Sequence, residues 1–248
     1  MISENELYRV IDKIAPFSAA LEWDNAGLLI KLGNETDKIL FALDATKAVI
    51  DEAAALGCKI IVTHHPIVFS PVRSFDISDE YTYAITKGIS VISAHTNWDV
   101  AKGGVNDLLC ELIGIKKTRD FMGEGRTGEI KETTGAELAA RVKAALLSDG
   151  VKVINGDKTV KRVGVVGGSS GDIFLDAVEQ GCDAFITGEL KHNEETLAAN
   201  SDICVIEAGH FETESPSMER LLAAVQKAIG KKAGCILSAV SKPPYSYV

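Results

Sequence analysis

Lys59-Ile60-Ile61-Val62-Thr63-His64-His65-Pro66 decides how the rest of the chain is read. An apolar run of this length suits a strand buried on both faces, as in a parallel sheet. It stops at two imidazoles and a proline, and proline cannot continue a ladder. Ahead of it, Ile39–Leu43 reads as a short apolar strand. Thr46–Leu56 reads as a helix with Val49, Ile50, Ala53 and Leu56 inward and Gly57 just past its end. Behind it, Tyr81–Lys87 is a helix, Ser90–Ala94 the next strand and Asn106–Leu112 another helix. This alternation predicts an α/β fold with a largely parallel sheet covered by helices. Residues 4–15 add an amphipathic helix in front, with Leu7, Val10, Ile11 and Ile14 on one face.

The second half repeats the plan. Ile39–His65 lies over Val163–Glu189 without a gap, so that Ala53 meets Ala177, Gly57 meets Gly181, Cys58 meets Cys182 and Thr63 meets Thr187. Val91–His95 then resembles Val205–His210 with one residue inserted, and the His95-to-Asp99 spacing equals that of His210 to Glu214. This predicts an internal duplication: two similar lobes with mostly parallel sheets, residues 1–120 and 121–248. Two such lobes facing one another would gather their strand-end residues in a shared cleft. Gly114–Gly135 is rich in Lys, Arg, Glu and Gly, and Gly123–Gly128 reads as a turn or crossing segment. Thr133–Ser148 is a helix with Thr134 and Glu137 placed for a capping box. Lys152–Asn155 and Lys161–Val166 are further strands.

The net charge of −9 argues against duplex nucleic acid as a partner. It is compatible with a nucleotide, because bound metal would supply local positive charge. The first residues carry acid where a secretory leader carries base, and no apolar run reaches the ~20 residues that span a bilayer. The five cysteines are odd in number, widely spaced and free of any CxxC, which predicts buried reduced thiols in a cytoplasmic protein.

The chemistry sits at strand ends. His64 and His65 close one predicted strand, His95 and Asp99 follow another, and His210 and Glu214 follow a third. Neutral nitrogen mixed with anionic oxygen suits divalent metals in pairs, and the two carboxylates would offset repulsion between two cations. The chain bends at Pro66, so both adjacent imidazoles can face one volume. The bland reading makes Asp99 a helix cap and Glu214 a first-turn acid. Glu189 and His192 follow the strand equivalent to the one before His64, and are placed to support ligands from outside the first ring. Trp23-Asp24-Asn25-Ala26-Gly27 reads as a tight turn near a functional surface. The loop Gly167–Gly171 could receive an anion at a helix start, though it lacks the lysine and the spacing of a P-loop.

Several of these segments occur together and in order. They are Trp23-Asp24-Asn25-Ala26-Gly27-Leu28, Val62–Pro66, Ala94–Asp99 with Gly103–Asp107, Thr187-Gly188-Glu189, and Gly209–Glu214. Jointly they resemble the Nif-three-like dinuclear metal-centre family, also labelled GTP cyclohydrolase 1 type 2 homologs, over nearly the whole chain. The short connection between the lobes resembles the compact members, which lack an inserted domain. The ending Lys242-Pro243-Pro244-Tyr245 departs from the Asp-Pro-Phe of the family and leaves the tail's role open. The resemblance implies two α/β lobes with a metal pair in the cleft. It implies that His65 and Asp99 serve one ion, that His64 and His210 serve the other, and that Glu214 bridges both. It implies two divalent ions from among Zn, Fe, Mn, Ni and Co, and a ring-shaped homo-hexamer built as a trimer of dimers. Its activity label implies a hydrolase acting on GTP or another nucleotide. His95 is then the acid/base candidate, its ordinary pKa of ~6.5 lying near working pH. The competing reading is a non-catalytic metal-binding, metal-delivery or scaffold protein. Five ligands spread over two metals leave open positions, which favours chemistry.

Overall fold

The computed structural model describes residues 1–246 and 248. In chain order the elements begin with β1 (Ile2–Ser3), α1 (Glu4–Ile14), β2 (Gly27–Ile30), β3 (Glu35–Thr36), β4 (Lys38–Ala42), α2 (Lys47–Leu56), β5 (Ile60–Thr63), α3 (Glu80–Thr86), β6 (Ser90–Ser93), α4 (Thr96–Val100) and α5 (Val105–Ile113). They continue with β7 (Lys116–Phe121), β8 (Gly125–Thr134), α6 (Gly135–Ala145), β9 (Lys152–Ile154), β10 (Thr159–Val166), α7 (Phe174–Glu179), β11 (Ala184–Thr187), α8 (His192–Ala199), β12 (Cys204–Glu207), α9 (His210–Ile229) and β13 (Gly234–Leu237). The chain forms two compact units, residues 1–104 with 217–242 and residues 105–216 with 243–248. This differs from a division at 120/121. The helix α5 belongs with the second unit, while most of α9 and all of β13 return to the first.

The first unit is built on a five-stranded sheet of order β13-β4-β5-β6-β2. All neighbours are parallel except β2, which runs antiparallel to β6 at the edge. Leu40, Ile61 and Val91 pack with Val49, Ile50 and Ala53 of α2 and Ala84 of α3 in one apolar cluster. The hydroxyl of Thr46 accepts from the amide of Val49 to start α2, and Gly57, in the left-handed region, ends it.

Glu4 is fully buried yet well satisfied. Its carboxylate accepts from the amides of Leu32, Gly33 and Asn34 at 3.2, 2.8 and 3.1 Å and from the hydroxyl of Ser90. Burial raises its pKa, but the Ser90 and backbone hydrogen bonds outweigh burial and hold the carboxyl below its usual range. A lowered native pKa gives stability that is complete above the unfolded value of about 4.3 and is lost as pH falls through the native value. Glu4→Gln is expected to cost ~1.5–3 kcal/mol at pH 7, the range for hydrogen bonds to a charged group. Urea titrations at pH 7 and at pH 3.5 measure it. The difference between variant and wild type should shrink at the lower pH, and an unchanged difference would show that the charge contributes nothing.

The second unit carries a six-stranded sheet of order β7-β8-β10-β11-β12-β9. Only β10, β11 and β12 are mutually parallel, and the other three pairings are antiparallel. The expectation of mostly parallel sheets therefore holds in the first unit and fails in the second. The segment read as a crossing is a hairpin, β7 and β8, turning through Met122 and Gly123 at φ of 57° and 73°. The capping box at Thr134 and Glu137 is present at the start of α6.

The two units share one kernel. Ile39, Ile60 and Ser90 lie side by side in β4, β5 and β6, as Val163, Ala184 and Cys204 do in β10, β11 and β12. Gly57 and Gly181 both take positive φ, 77° and 73°. The following amides close the same turn, Cys58 onto Ala53 at 2.8 Å and Cys182 onto Ala177 at 2.9 Å. An antiparallel strand closes the same edge of each kernel, β2 beside β6 and β9 beside β12. Order, direction and register thus agree with the gapless sequence match. The opposite flanks differ, β13 in one unit and the β7–β8 hairpin in the other.

Four of the five cysteines are buried and all are free. Burial pushes the Cys110 thiol up to about 12, which makes it inert at neutral pH. Among the described residues no helix is long and apolar enough to cross a membrane.

Candidate metal centre

In the first unit, β5 stops because the chain turns. The amides of both His64 and His65 donate to the same carbonyl, that of Leu43, at 3.1 Å each. Thr63 Oγ1 donates back to the His65 carbonyl at 2.8 Å. The strand alternation that would separate the two side chains is lost, and their ring centroids lie 5.1 Å apart. His95, at the end of β6, joins them with centroids 5.1 Å from His64 and 5.6 Å from His65. One ring nitrogen from each of His64, His65 and His95 lies within 4.8 Å of the others. Asp99 sits inside α4 and so is not its cap; His95 holds that place. Its Oδ1 lies 3.5 Å from His64 Nε2. Buried neighbours fix α4: Asn97 Nδ2 donates to the Ala15 carbonyl at 2.8 Å and Trp98 Nε1 to Ser217 Oγ at 3.1 Å.

Each ring is held by its Nδ1. His64 Nδ1 meets the Ala94 carbonyl at 2.9 Å, His65 Nδ1 meets Asp44 at 2.7 Å and His95 Nδ1 meets Asp24 at 2.8 Å. Carbonyl and carboxylate oxygens only accept, so Nδ1 carries the proton and Nε2 carries the lone pair. Holding an imidazole through Nδ1 by a carboxylate or carbonyl is how proteins orient metal ligands. Burial would raise the Asp24 carboxyl, but hydrogen bonds from His95 and from the Thr96 hydroxyl and amide outweigh it and hold it below the usual range.

In the second unit, His210 opens α9 and Glu214 follows one turn later on the same face, with His210 Nε2 and Glu214 Oε2 3.1 Å apart. The spacing that covers a cap and a short helix at His95 is wholly helical here. The inserted Gly209, at φ 93°, turns the chain before the helix begins. His210 Nδ1 meets Glu189 Oε2 at 3.1 Å, so Glu189 supports a candidate ligand as the sequence suggested. His192 does not: its side chain is 94% exposed and its Nδ1 meets Glu195. Glu189 takes the place that the kernel gives His65. The place of His64 falls to Gly188, where a Cβ would come within 2.7 Å of the Gly168 carbonyl and of Thr213 Oγ1.

The loop Gly167–Gly171 turns three of its amides inward. The amide of Gly167 donates to Asn106 Oδ1 at 3.0 Å, that of Gly168 to Thr213 Oγ1 at 3.1 Å and that of Ser170 to Thr187 Oγ1 at 3.3 Å. The loop backs Glu214. Gly168 has φ +69°, and a Cβ there would lie 2.2 Å from Glu214 Oε1. Gly168→Ala is expected to displace that carboxylate and weaken metal binding ~10–100-fold, the range for disturbing a ligand's supports. Competition against a chromophoric chelator measures this, and wild-type affinity would show that Glu214 does not bind through this position. At the tail, Tyr245 donates to Glu212 in the turn that carries His210 and Glu214.

The donor set fits a divalent cation. Each unit places an imidazole Nε2 opposite a mostly buried carboxylate, His64 with Asp99 and His210 with Glu214. The sequence missed Asp44, which follows β4 at the same sheet end that carries His64 and His95, and that position was its only signal.

A family model described as Duf34/NIF3 (NGG1p interacting factor 3) matches residues 2–244. A Clostridium perfringens protein named GTP cyclohydrolase 1 type 2 homolog is 32% identical over 98% of this chain and 99% of its own length. A Clostridium acetobutylicum protein of the same name is also 32% identical, over 98% of this chain and 97% of its own. Among solved structures, Staphylococcus aureus hypothetical protein SA1388 matches with a TM-score of 0.88 and 26% identity, covering 98% of each chain. A Bacillus cereus protein related to NIF3 shares the fold, with a TM-score of 0.87 at 22% identity over 100% of this chain and 99% of that one.

Proposed function

The chain belongs to the Duf34/NIF3 family, and on that premise we propose that it is a dinuclear metal-dependent hydrolase acting on a nucleotide or a related heterocycle. The observation that carries this reading is the gathering of His64, His65 and His95 at the strand ends of the first unit, each ring held through Nδ1 by a carbonyl or carboxylate oxygen. By the family resemblance, His64, His65, Asp99, His210 and Glu214 would hold the two ions. A bound divalent pair supplies water activation near neutral pH and Lewis acidity. His95 moves the proton: Asp24 fixes its Nδ1–H, so Nε2 accepts a proton from the nucleophile and returns it to the leaving group. Asp44 and Glu189 keep His65 and His210 in the ligating tautomer.

We propose further that the protein works in the cytoplasm as a ring-shaped homo-hexamer. Free, largely buried thiols and the family resemblance support this. Light scattering on the purified protein tests the assembly.

The deciding experiment is metal analysis of protein purified without chelator, followed by a nucleotide and phosphoester panel before and after chelation and metal restoration. Two equivalents per chain and metal-dependent turnover are expected. Bound metal with no turnover on any substrate would put the metal-delivery or scaffold reading first. Metal-free protein that cannot be loaded would end both.

A further inference from the structure

Trp23 and Phe69 belong to the first unit and take no part in holding a cation. They are 60% and 54% exposed, an unusual state for large aromatic side chains. Their rings lie 5.8 Å apart at 44°, so they neither stack on each other nor bury each other. Both stand edge-on to the His95 imidazole, Trp23 at 6.0 Å and 75° and Phe69 at 6.3 Å and 77°.

Hydrogen bonds anchor the backbone beside them. Asp24, next to Trp23, accepts from the His95 ring and from the Thr96 amide and hydroxyl. The amide of Leu21 donates to Thr96 Oγ1 at 3.0 Å. Asn25 Nδ2 donates to the carbonyl of Val68, the neighbour of Phe69, at 2.6 Å and joins the two loops. Exposed aromatics on loose loops are common, but exposed aromatics on loops fixed by hydrogen bonds to an acid/base candidate are preorganised for a ligand.

We propose that Trp23 and Phe69 form a stacking face that receives the planar heteroaromatic ring of the substrate beside His95. This deepens the hydrolase reading and takes its substrate class from it. Aromatic faces hold flat rings by stacking, whatever the ring's hydrogen-bond pattern. A purely hydrocarbon ring would set its edge against imidazoles and carboxylates with nothing to offer them. A nitrogen-bearing ring can stack and also meet His95 with a polar edge.

The test reads binding without turnover. Trp98, the other of the two tryptophans, is 1% exposed, so a ligand-induced change in tryptophan fluorescence reports Trp23. Chelator-treated wild-type protein is titrated with guanosine 5′-monophosphate and with ribose 5-phosphate, which has the same sugar and phosphate without the ring. Quenching by the first alone is expected. By calorimetry, Trp23→Ala and Phe69→Ala should bind the nucleotide ~5–150-fold more weakly, the span of one stacked base. Trp23→Phe should retain most of the affinity, and all three variants should keep wild-type metal content. Equal binding of the two probes, or alanine variants that bind like wild type, would overturn the proposal. So would a light-scattering result in which Trp23→Ala dissociates an assembly, since a second copy would then cover this face. Failure here with metal and turnover intact removes only the stacking face. Ring-specific quenching in a protein that loads no metal removes only the hydrolase reading.

Discussion

Glu214→Ala is expected to strip most of the metal from the protein and abolish hydrolysis with it. The side chain is 4% exposed and lies 3.1 Å from His210 Nε2, with the side-chain-free face of Gly168 behind it. A carboxylate in that position is held for its charge. In the proposed dinuclear centre two cations close together would repel, and Glu214 as their shared anion would offset that repulsion. Changing groups that merely support ligands costs ~10–100-fold in metal affinity, and losing the shared ligand itself should cost more. Glu214→Gln should fail nearly as badly, because it keeps the shape and loses the charge. Folding separates the interpretations. Without metal a buried carboxylate is a burden, so metal-free Glu214→Ala should melt no lower than metal-free wild type. Added metal should then stabilise only the wild type, by ~4 kcal/mol at a thousand times its dissociation constant. Inductively coupled plasma analysis and thermal melts measure both halves. Two tightly held equivalents in the variant would end the bridging role.

The contrast between what could and could not be read from the sequence has physical causes. The strands β4, β5, β11 and β12 and the second half of β10 are largely apolar runs because neighbours and helices cover both faces, and such runs are easy to see. The strand β7 is Lys-Lys-Thr-Arg-Asp-Phe, exposed until its last residue. An edge strand is charged in this way to deter pairing with other chains, and that erases the apolar signal. In β8 the inward places include Gly125 and Gly128, where a Cβ would come within 2.5 Å of the Val165 carbonyl and of Ile115 Cγ2 respectively. Small residues chosen for close approach read as a turn. The five candidate ligands stood out because histidine is scarce here and sits at strand ends. Their anchors were harder to find. Asp24 was visible through Trp23-Asp24-Asn25-Ala26-Gly27, Glu189 through the repeat, and Asp44 hardly at all, since one acid after a strand is ordinary. The antiparallel flank of the second unit and the return of β13 to the first are set by packing over long sequence separations, which local patterns do not carry.

His95→Ala is expected to keep its metal and lose turnover ~10²–10⁴-fold, the worth of a positioned acid/base group. The geometry makes this a sharp test, because His95 stands in the same three-histidine group as His64 and His65 and could ligate instead. Asp24→Asn discriminates further. Asp24 now forces the proton onto His95 Nδ1. An asparagine can turn its amide N–H toward Nδ1, which moves the ring proton to Nε2 and removes the lone pair that takes up a proton. If His95 is the acid/base group, Asp24→Asn should match the kcat loss of His95→Ala, with metal content and KM close to wild type. If His95 is a ligand, both variants should lose metal together, and raising the metal concentration should restore part of the rate in Asp24→Asn. Metal analysis and steady-state kinetics on the two variants, set beside Glu214→Ala, separate the roles. A His95→Ala protein as metal-poor as Glu214→Ala would move His95 into the ligand set and leave the proton transfer to be found elsewhere.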